Sequence, residues 1–321
     1  MSLRTPLTTL LGIEHPILLA PMDIISDGAL TTAVSAAGGL GMLGGGYGDA
    51  AWLKQQLDVI ERAGQRFGVG FITGSLARQP QLLDQVLARR PVAVMLSFGN
   101  PRPFVETIKR AGAIAICQVQ SIAMANDAIA AGADVLVAQG TEAGGHGAAR
   151  GLITLVPEII DATGGKVPVV AAGGIADGRG LAAALMLGAG GVLLGTRFYA
   201  TEEAAGARAA KERICQANGD ETVRSIVFDI SRRNVWPAPF TGRCIRNSHA
   251  QRWVGREVEL MQHVEEVSAV YASARTSGNF DIAAVIAGES SGLIADILPA
   301  AAIVKQLAGE AMALIENHRG G

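Results

Sequence analysis

The stretch AAGGIADGRGLAAALMLGAGGVLLGTRF, residues 171–198, decides the fold. It begins inside an apolar run, PVVAA at 168–172, and passes through the pair Gly173-Gly174. A helix-like stretch follows over 177–187. MLGAGG (186–191) closes that helix with glycine, and a second apolar run, GVLLG (191–195), starts within a residue or two. Strand, Gly-rich loop, helix, glycine stop, strand is the repeating unit of a parallel sheet with helical crossovers.

The same unit recurs upstream. Short apolar runs stand at ILLA (17–20), LGML (40–43), FGVGF (67–71), VAVML (92–96), AIAIC (113–117) and DVLVA (134–138). With the two above they make eight. They are nearly continuous in apolar character, as strands buried on both faces should be. Helical spacing marks 51–64, where Trp52, Leu53, Leu57 and Ile60 share a face, and 80–90, 102–111 and 121–131 read the same way. AAGGLG (36–41), RAGAIA (110–115) and AAGADV (130–135) repeat the glycine stop. Eight strands alternating with helices predict an α/β fold, a (β/α)8 TIM barrel over 1–200. An open doubly wound sheet is the structural alternative. The chain continues well past the eighth strand, with helical patterns at 204–218, 250–275 and 298–317. These predict an added C-terminal helical subdomain over 201–289 that covers the active face. A late helix near 290–318 then returns to close the barrel.

Composition narrows the function classes. The chain has 321 residues, 49% hydrophobic and 17% charged, which suffices for one large core. Lys and Arg number 27 against 29 Asp and Glu, with no basic block, so neither nucleic acid nor an anionic membrane is an expected partner. The uncharged apolar run LAAALMLGAGGVLLGT (181–196) is shorter than the ~18 apolar residues of a spanning helix. Pro6, Glu14, His15 and Pro16 interrupt the N-terminus and argue against a signal peptide. Cys117, Cys215 and Cys244 are widely spaced and odd in number, which fits a reducing, cytoplasmic setting.

Barrels of this kind place their chemistry at the C-terminal ends of the strands. Those ends carry Ala20-Pro21-Met22, Gly44-Gly45-Gly46, Ile72-Thr73, Ser97 to Asn100, Gln118, Gln139 through His146, Gly173-Gly174 and Gly195-Thr196. After strand six comes GTEAGGHGAARG (140–151), with His146 among glycines. A flexible surface loop is the plain reading of such a stretch. Its place on the active face supports a ligand-binding loop with His146 aimed at a reacting atom. The glycine loops after strands seven and eight suit a phosphate, because bare N–H groups at helix starts attract anions. Thr196 adds a hydroxyl there. Tight turns alone would also call for those glycines.

Other signals are weaker. GLGMLG (39–44) fits G-x-G-x-x-G by letter but lies within a strand, so it predicts no nicotinamide site. His15, His249, His263 and His318 form no metal-ligand spacing with His146, and no metal site is expected. Trp52, Trp236 and Trp253 read as packing residues. Asp23 and Arg150 read equally as substrate contacts or as solvated loop charges.

AQGTEAGGHGAARG (138–151), the 171–198 stretch and the early APM (20–22) together resemble the nitronate monooxygenases, formerly called 2-nitropropane dioxygenases. GVGFIT (68–73) and WPAPFTGRCIRN (236–247) look like the fungal-type branch. The resemblance covers nearly the whole chain. It implies a barrel holding non-covalent FMN, with a helical domain over the active face. Matched motif by motif, Ala20, Pro21 and Met22 would border the flavin ring, and Thr73 would join them in binding the cofactor. Gln118 and Gln139 would contact the flavin from strands five and six, and Gly144 would lie close to it. Gly173, Gly174, Gly195 and Thr196 would hold its phosphate, and His146 matches the catalytic histidine. Gln118 and Gln139 depart from the bacterial branch, which has a lysine and an acidic residue there.

The activity so implied is oxidation of an alkyl nitronate, or of a nitroalkane, by O2 to a carbonyl compound and nitrite. The cofactor carries the redox step. His146 would serve as imidazolium beside the anion, or as the neutral base that removes an α-proton. The main rival is a flavin-dependent enoyl-ACP reductase using NAD(P)H, which has a similar Gly-Gly-His loop. A non-catalytic flavin or phosphosugar module is a second. A dehydrogenase of the IMP type would need a cysteine in the strand-six loop, whereas Cys117 ends strand five.

Overall fold

The computed structural model describes residues 3–234 and 236–317. Positions 1 and 2 of the expected barrel, the last position of the expected closing helix, 318, and hence His318 lie outside them. Eleven strands are present among the described residues: β1 (Ile17–Leu19), β2 (Met42–Gly44), β3 (Gly68–Ile72), β4 (Ala93–Ser97), β5 (Ile114–Val119), β6 (Val135–Gln139), β7 (Gly145–Gly147), β8 (Val169–Ala172), β9 (Gly191–Leu194), β10 (Thr222–Ser225) and β11 (Thr241–Ile245). Eight of them form one parallel sheet in the order β1-β9-β8-β6-β5-β4-β3-β2. A parallel bridge between Leu18 and Leu40 joins its two ends. There Leu40 N–H donates to Ile17 C=O and Leu19 N–H to Leu40 C=O, both at 3.0 Å. The sheet is therefore a (β/α)8 barrel, and the open doubly wound alternative is set aside.

Each expected apolar run lies on one of these strands, because each strand is buried on both sides. Leu18, Met42, Met95, Ile116, Val137 and Val170 fill the barrel interior, and Leu7 and Leu11 of the helix Pro6–Leu11 join that cluster. Ile17, Leu19, Val69, Val94, Leu136, Val169 and Val192 face the surrounding helices. Neighbours along a strand thus serve opposite faces. The repeated glycine stops are left-handed: φ is +94° at Gly38, +80° at Gly112, +91° at Gly132 and +93° at Gly188. A residue with a Cβ would resist that conformation, so the glycine ends the helix and turns the chain toward the next strand.

The helix Ala300–Asn317 supplies the missing eighth helix. It packs on Gly178–Met186 and Gly28–Ala36, the helices that flank it around the barrel. At the first contact Glu310 accepts from Gly178 N–H at 2.9 Å. A Cβ on Gly178 would stand 2.2 Å from that of Glu310, so only glycine permits the approach.

Between β9 and this helix the chain leaves the barrel, and a bridge between Thr201 and Leu298 ties the two ends of the excursion. The segment holds the helices Arg208–Gln216, Val227–Ser231, Ser248–Trp253, Glu257–Gln262 and Val264–Ser277. The helical pattern at 250–275 is thus broken twice, once around Gly255 at φ +83° and once at His263. The segment also contains β10 and β11, which the sequence reading did not anticipate. They form an antiparallel sheet with β7 in the order β10-β11-β7. Val223, Phe228, Cys244, Trp253, Leu260 and Tyr271 give this segment a core of its own. No helix among the described residues is long and apolar enough to cross a membrane.

Candidate active site

His146 stands at the C-terminal mouth of the barrel, in the loop after β6. That loop is ordered by two devices. Its centre, β7, pairs with β11, with His146 opposite Gly242. Arg224, on β10, reaches across and donates to the carbonyls of Thr141 at 2.9 Å and Ala143 at 3.0 Å, and also to those of Gly145, Gly147 and Thr241. One guanidinium so holds alternate carbonyls of the loop, and the flexible-loop reading of GTEAGGHGAARG does not apply. Burial, then the neighbouring Arg243, lowers the Arg224 pKa to about 10, which leaves it charged at neutral pH.

The imidazole is oriented by a residue 83 positions away in sequence. Its Nε2 lies 3.0 and 3.1 Å from the carboxylate oxygens of Asp229, whose side chain is fully enclosed. Arg232 Nη2 donates to the same carboxylate at 2.6 Å. Facing a carboxylate, Nε2 carries the proton and Nδ1 keeps the lone pair. Trp236 stacks on the imidazole, with ring centroids 3.7 Å apart and planes 11° from parallel. Trp236 is therefore a site residue rather than the packing residue expected. Asp229 and Arg232 were also missed. The signal for Asp229 was present as a single carboxylate inside the apolar run SIVFDI (225–230).

The strand-end glutamines meet beside the histidine. Ser97 Oγ–H donates to Gln118 Oε1 at 3.0 Å, and Gln118 Nε2 donates to Gln139 Oε1 at 2.6 Å. Gln120 Nε2 adds a second bond to Gln139 Oε1 at 2.8 Å. Gln139 Nε2 donates onward to the His146 carbonyl at 3.0 Å. The two positions that depart from the bacterial branch are thus one hydrogen-bonded unit.

The other expected site residues fall into neighbouring groups. Ala20, Pro21 and Met22 form a turn in which Ser26 Oγ–H donates to Ala20 C=O and accepts from Met22 N–H, at 2.7 and 3.1 Å. A Cβ on Gly195 would meet Met22 Sδ at 3.4 Å and Ala20 Cβ at 3.6 Å, so this turn adjoins the loop after β9. Gly173 and Gly174 have φ of +112° and +70° and lie against the 140–143 turn. Thr196 Oγ1 accepts from Gly288 N–H at 2.9 Å and keeps its own proton free to donate. Gly144 backs onto Ala287 and Gly288, where a Cβ would come within 2.6 Å of the Ala287 carbonyl carbon.

Unmet polar groups mark where a cofactor fits. Among the described residues, the N–H groups of Gly174 and Gly195 have no protein acceptor among the backbone and side-chain bonds, whereas the register of β8 on β9 takes up that of Gly173. The buried Thr73 Oγ1 and Gln120 Oε1 have no hydrogen-bond partner. Bare amides at two adjacent strand ends fit an anionic group, and the orphaned side-chain atoms fit a polar-edged ring system. The helix Gly178–Met186 adds nothing to that, since Asp177 and Glu310 already occupy its first amides.

Asp23 and Arg150 separate clearly. Arg150 pairs with Glu158 at 2.5 Å on the surface. Asp23 has φ +21° and sits at the mouth against the triple glycine after β2, where a Cβ on Gly46 would stand 1.8 Å from Asp23 Oδ1. Burial raises its pKa above the usual carboxylate value, opposed by Arg275, the Tyr47 N–H and Arg232.

The family model of nitronate monooxygenases matches residues 4–72 and 72–310. A nitronate monooxygenase of Neurospora crassa is 34% identical over 95% of this chain and 91% of its own. FabK from Thermotoga maritima superposes with a TM-score of 0.89 at 33% identity, covering 99% of both chains. Nitroalkane oxidase from Streptomyces ansochromogenes superposes with a TM-score of 0.82 at 26% identity, covering 97% of this chain and 99% of that one.

Proposed function

This chain belongs to the nitronate monooxygenase family of oxidoreductases, and on that premise we propose that it converts alkyl nitronates and O2, with bound FMN, to a carbonyl compound and nitrite. Nitroalkanes enter the same reaction after loss of their α-proton. The observation that carries this reading is the His146–Asp229 pair, held 3.0 Å apart at the barrel mouth beside unpaired main-chain amides.

FMN, when bound, supplies the electron transfer between nitronate and O2. The Gly173-Gly174 turn, the N–H groups of Gly174 and Gly195 and the Thr196 hydroxyl would hold its phosphate. Ala20 to Met22, Thr73, Gln118 and Gln139 would border its ring, with Gly144 close by. The protein's own part is to manage charge and protons. For a neutral nitroalkane, Nδ1 of His146 accepts the α-proton while the C–H electron pair moves onto the nitro oxygens. The imidazolium so formed lies between the new anion and the Asp229 carboxylate, which offsets its charge. For a preformed nitronate no α-proton is removed, and the imidazole binds the anion after taking a proton from solvent. Trp236 keeps the ring plane fixed throughout.

The test is aerobic nitrite release from ethylnitronate without NAD(P)H, alongside acid release and chromatography of the cofactor. Nitrite at a rate independent of NAD(P)H, with FMN recovered, is expected. A colourless protein that FMN cannot reconstitute would overturn the proposal. So would fast NADH-driven reduction of an enoyl thioester without nitrite formation, which is the enoyl-ACP reductase outcome.

A further inference from the structure

The carboxamides of Gln118, Gln120 and Gln139 form one hydrogen-bonded cluster, and its direction is fixed from one end. The His146 carbonyl can only accept, so the Gln139 atom 3.0 Å from it is the amide nitrogen. Gln139 therefore turns its oxygen toward the end of β5, and that oxygen requires donors. Gln118 Nε2 and Gln120 Nε2 supply them at 2.6 and 2.8 Å. Each of these two carboxamides must then present its own oxygen on its other side. For Gln118 the Ser97 hydroxyl meets it at 3.0 Å. For Gln120 nothing does: among the described residues its Oε1 is enclosed and has no hydrogen-bond partner. Flipping the Gln120 amide is no remedy, because it would set two oxygens against each other at 2.8 Å.

An orphaned acceptor of this kind calls for a donor on the ligand. Gln120 is 1% exposed, so bulk water does not serve it. A buried acceptor left unmet weakens an equilibrium by about tenfold or more. The oxidised flavin ring has a single N–H, at N3, and its other polar ring atoms only accept. The ribityl hydroxyls also donate, but they lie near the phosphate. In the sheet order, β5 is two strands from β8 and three from β9, whose ends carry the phosphate glycines. That is roughly 10–15 Å round the sheet at about 4.8 Å per strand, which suits the far edge of the ring rather than the ribityl chain. Thr73, the other enclosed orphan, follows β3 and has a hydroxyl free to donate to a ring acceptor.

Resting on the FMN reading above, we infer that Gln120 is a cofactor-recognition residue whose Oε1 accepts the N3–H of the flavin ring. The sequence reading passed it over, because Gln120 lies one residue beyond β5 and only its partners give it a direction. The cluster thus links the ring edge to the catalytic loop: Gln120 reads the ring, Gln139 relays the polarity, and the His146 carbonyl sets it.

The experiment sets FMN against 3-methyl-FMN, in which a methyl group replaces the N3 hydrogen. The holoprotein is equilibrated with mixtures of the two, and the bound fraction of each is read by chromatography after acid release. The unmodified protein should prefer FMN by at least about tenfold. Gln120→Met keeps the length of the side chain and removes the acceptor, so it should narrow that preference by about tenfold. The thioether still fills the space, so the narrowing reports the bond rather than room for the methyl group. Where Gln120→Met does not fold, Gln120→Asn, which withdraws the carboxamide by one methylene, should show the same narrowing. No preference in the unmodified protein, or a preference unchanged in the folded variant, would overturn the inference and leave FMN as the cofactor. Binding of neither flavin would remove the FMN reading itself, and this inference with it.

Discussion

Asp229→Asn is the most informative single change, because it preserves shape and removes one charge. The carboxylate lies 3.0 Å from His146 Nε2 and 2.6 Å from Arg232 Nη2, with almost no solvent contact. Proton abstraction from nitroethane turns the imidazole into a cation beside it. At an effective dielectric of about 20, opposite charges 4 Å apart attract by about 4 kcal/mol. Arg232 already offsets part of that field, so a loss of about 2–4 kcal/mol is the appropriate range, or roughly 30- to 10³-fold in rate. The amide also accepts or donates toward Nε2, so the ring no longer has a fixed tautomer and Nδ1 is a base only part of the time. Ethylnitronate needs no proton removed and should lose about tenfold or less.

The assay is nitrite release from nitroethane and from freshly ionised ethylnitronate, at equal FMN content. Arg232 loses its buried partner in this variant, and breaking such a pair costs about 3–5 kcal/mol of stability at the upper end. Turnover is therefore compared at a temperature below the melting transition of the variant. Unchanged nitroethane turnover in folded, FMN-loaded Asp229→Asn would show that the carboxylate neither orients nor stabilises the imidazole. Equal losses on both substrates would show that it acts only through binding of the anion.

Three further outcomes are expected. His146→Asn should cut nitroethane turnover by ~10²–10⁴-fold and leave much of the ethylnitronate activity; a matching collapse on both would make the histidine an anion-binding cation rather than a base. Gly174→Asp imposes a side chain at φ +70°, 3.3 Å from Glu142 Cβ, and adds negative charge beside bare amides. FMN retention after gel filtration of the folded variant should fall by at least about tenfold in affinity, and full retention would place the phosphate elsewhere. His249 is buried against Ser231, and burial, then Arg252, lowers its pKa to about 4. The unfolded chain therefore binds its proton first as pH falls. The stability this neutral histidine provides is complete above about 6.5 and is lost as pH falls through about 4, by about 3 kcal/mol in all. Thermal melts of His249→Gln should show a shallower decline across that window, and parallel declines would refute the assignment.

What the sequence revealed and what it hid follow from the range of the interactions. PVVAA or VAVML is apolar because its own residues are enclosed, so each strand announces itself locally. The left-handed glycines at 38, 112, 132 and 188 are equally local, since φ is a property of one residue. His146 stood out because its neighbours are glycines at a strand end. Asp229 and Trp236 did not, because each is defined by a partner 83 or 90 positions away. The small sheet was hidden for a further reason. Two of the three β7 residues are glycine, and β11 reads TGRCI, so neither shows the alternation that marks a half-buried strand.

That small sheet changes what the excursion after β9 is for. A cover over a finished barrel site would contribute enclosure and nothing more. Here the barrel supplies a glycine-rich loop whose intrinsic freedom is high, and the excursion removes that freedom. β11 sets the register at His146, Arg224 takes up carbonyls on both sides of it, and Asp229 fixes the ring. Each of these contacts comes from β10, β11 or the helix between them, within 24 residues of chain from 222 to 245. The eight-stranded frame and the geometry of the candidate site are therefore separable in origin. The frame is encoded by repeated local patterns, whereas the geometry depends on one distant segment folding onto one loop. Changes in that segment can retune the histidine without disturbing a single barrel strand, which is a physical route by which one frame carries different reactions.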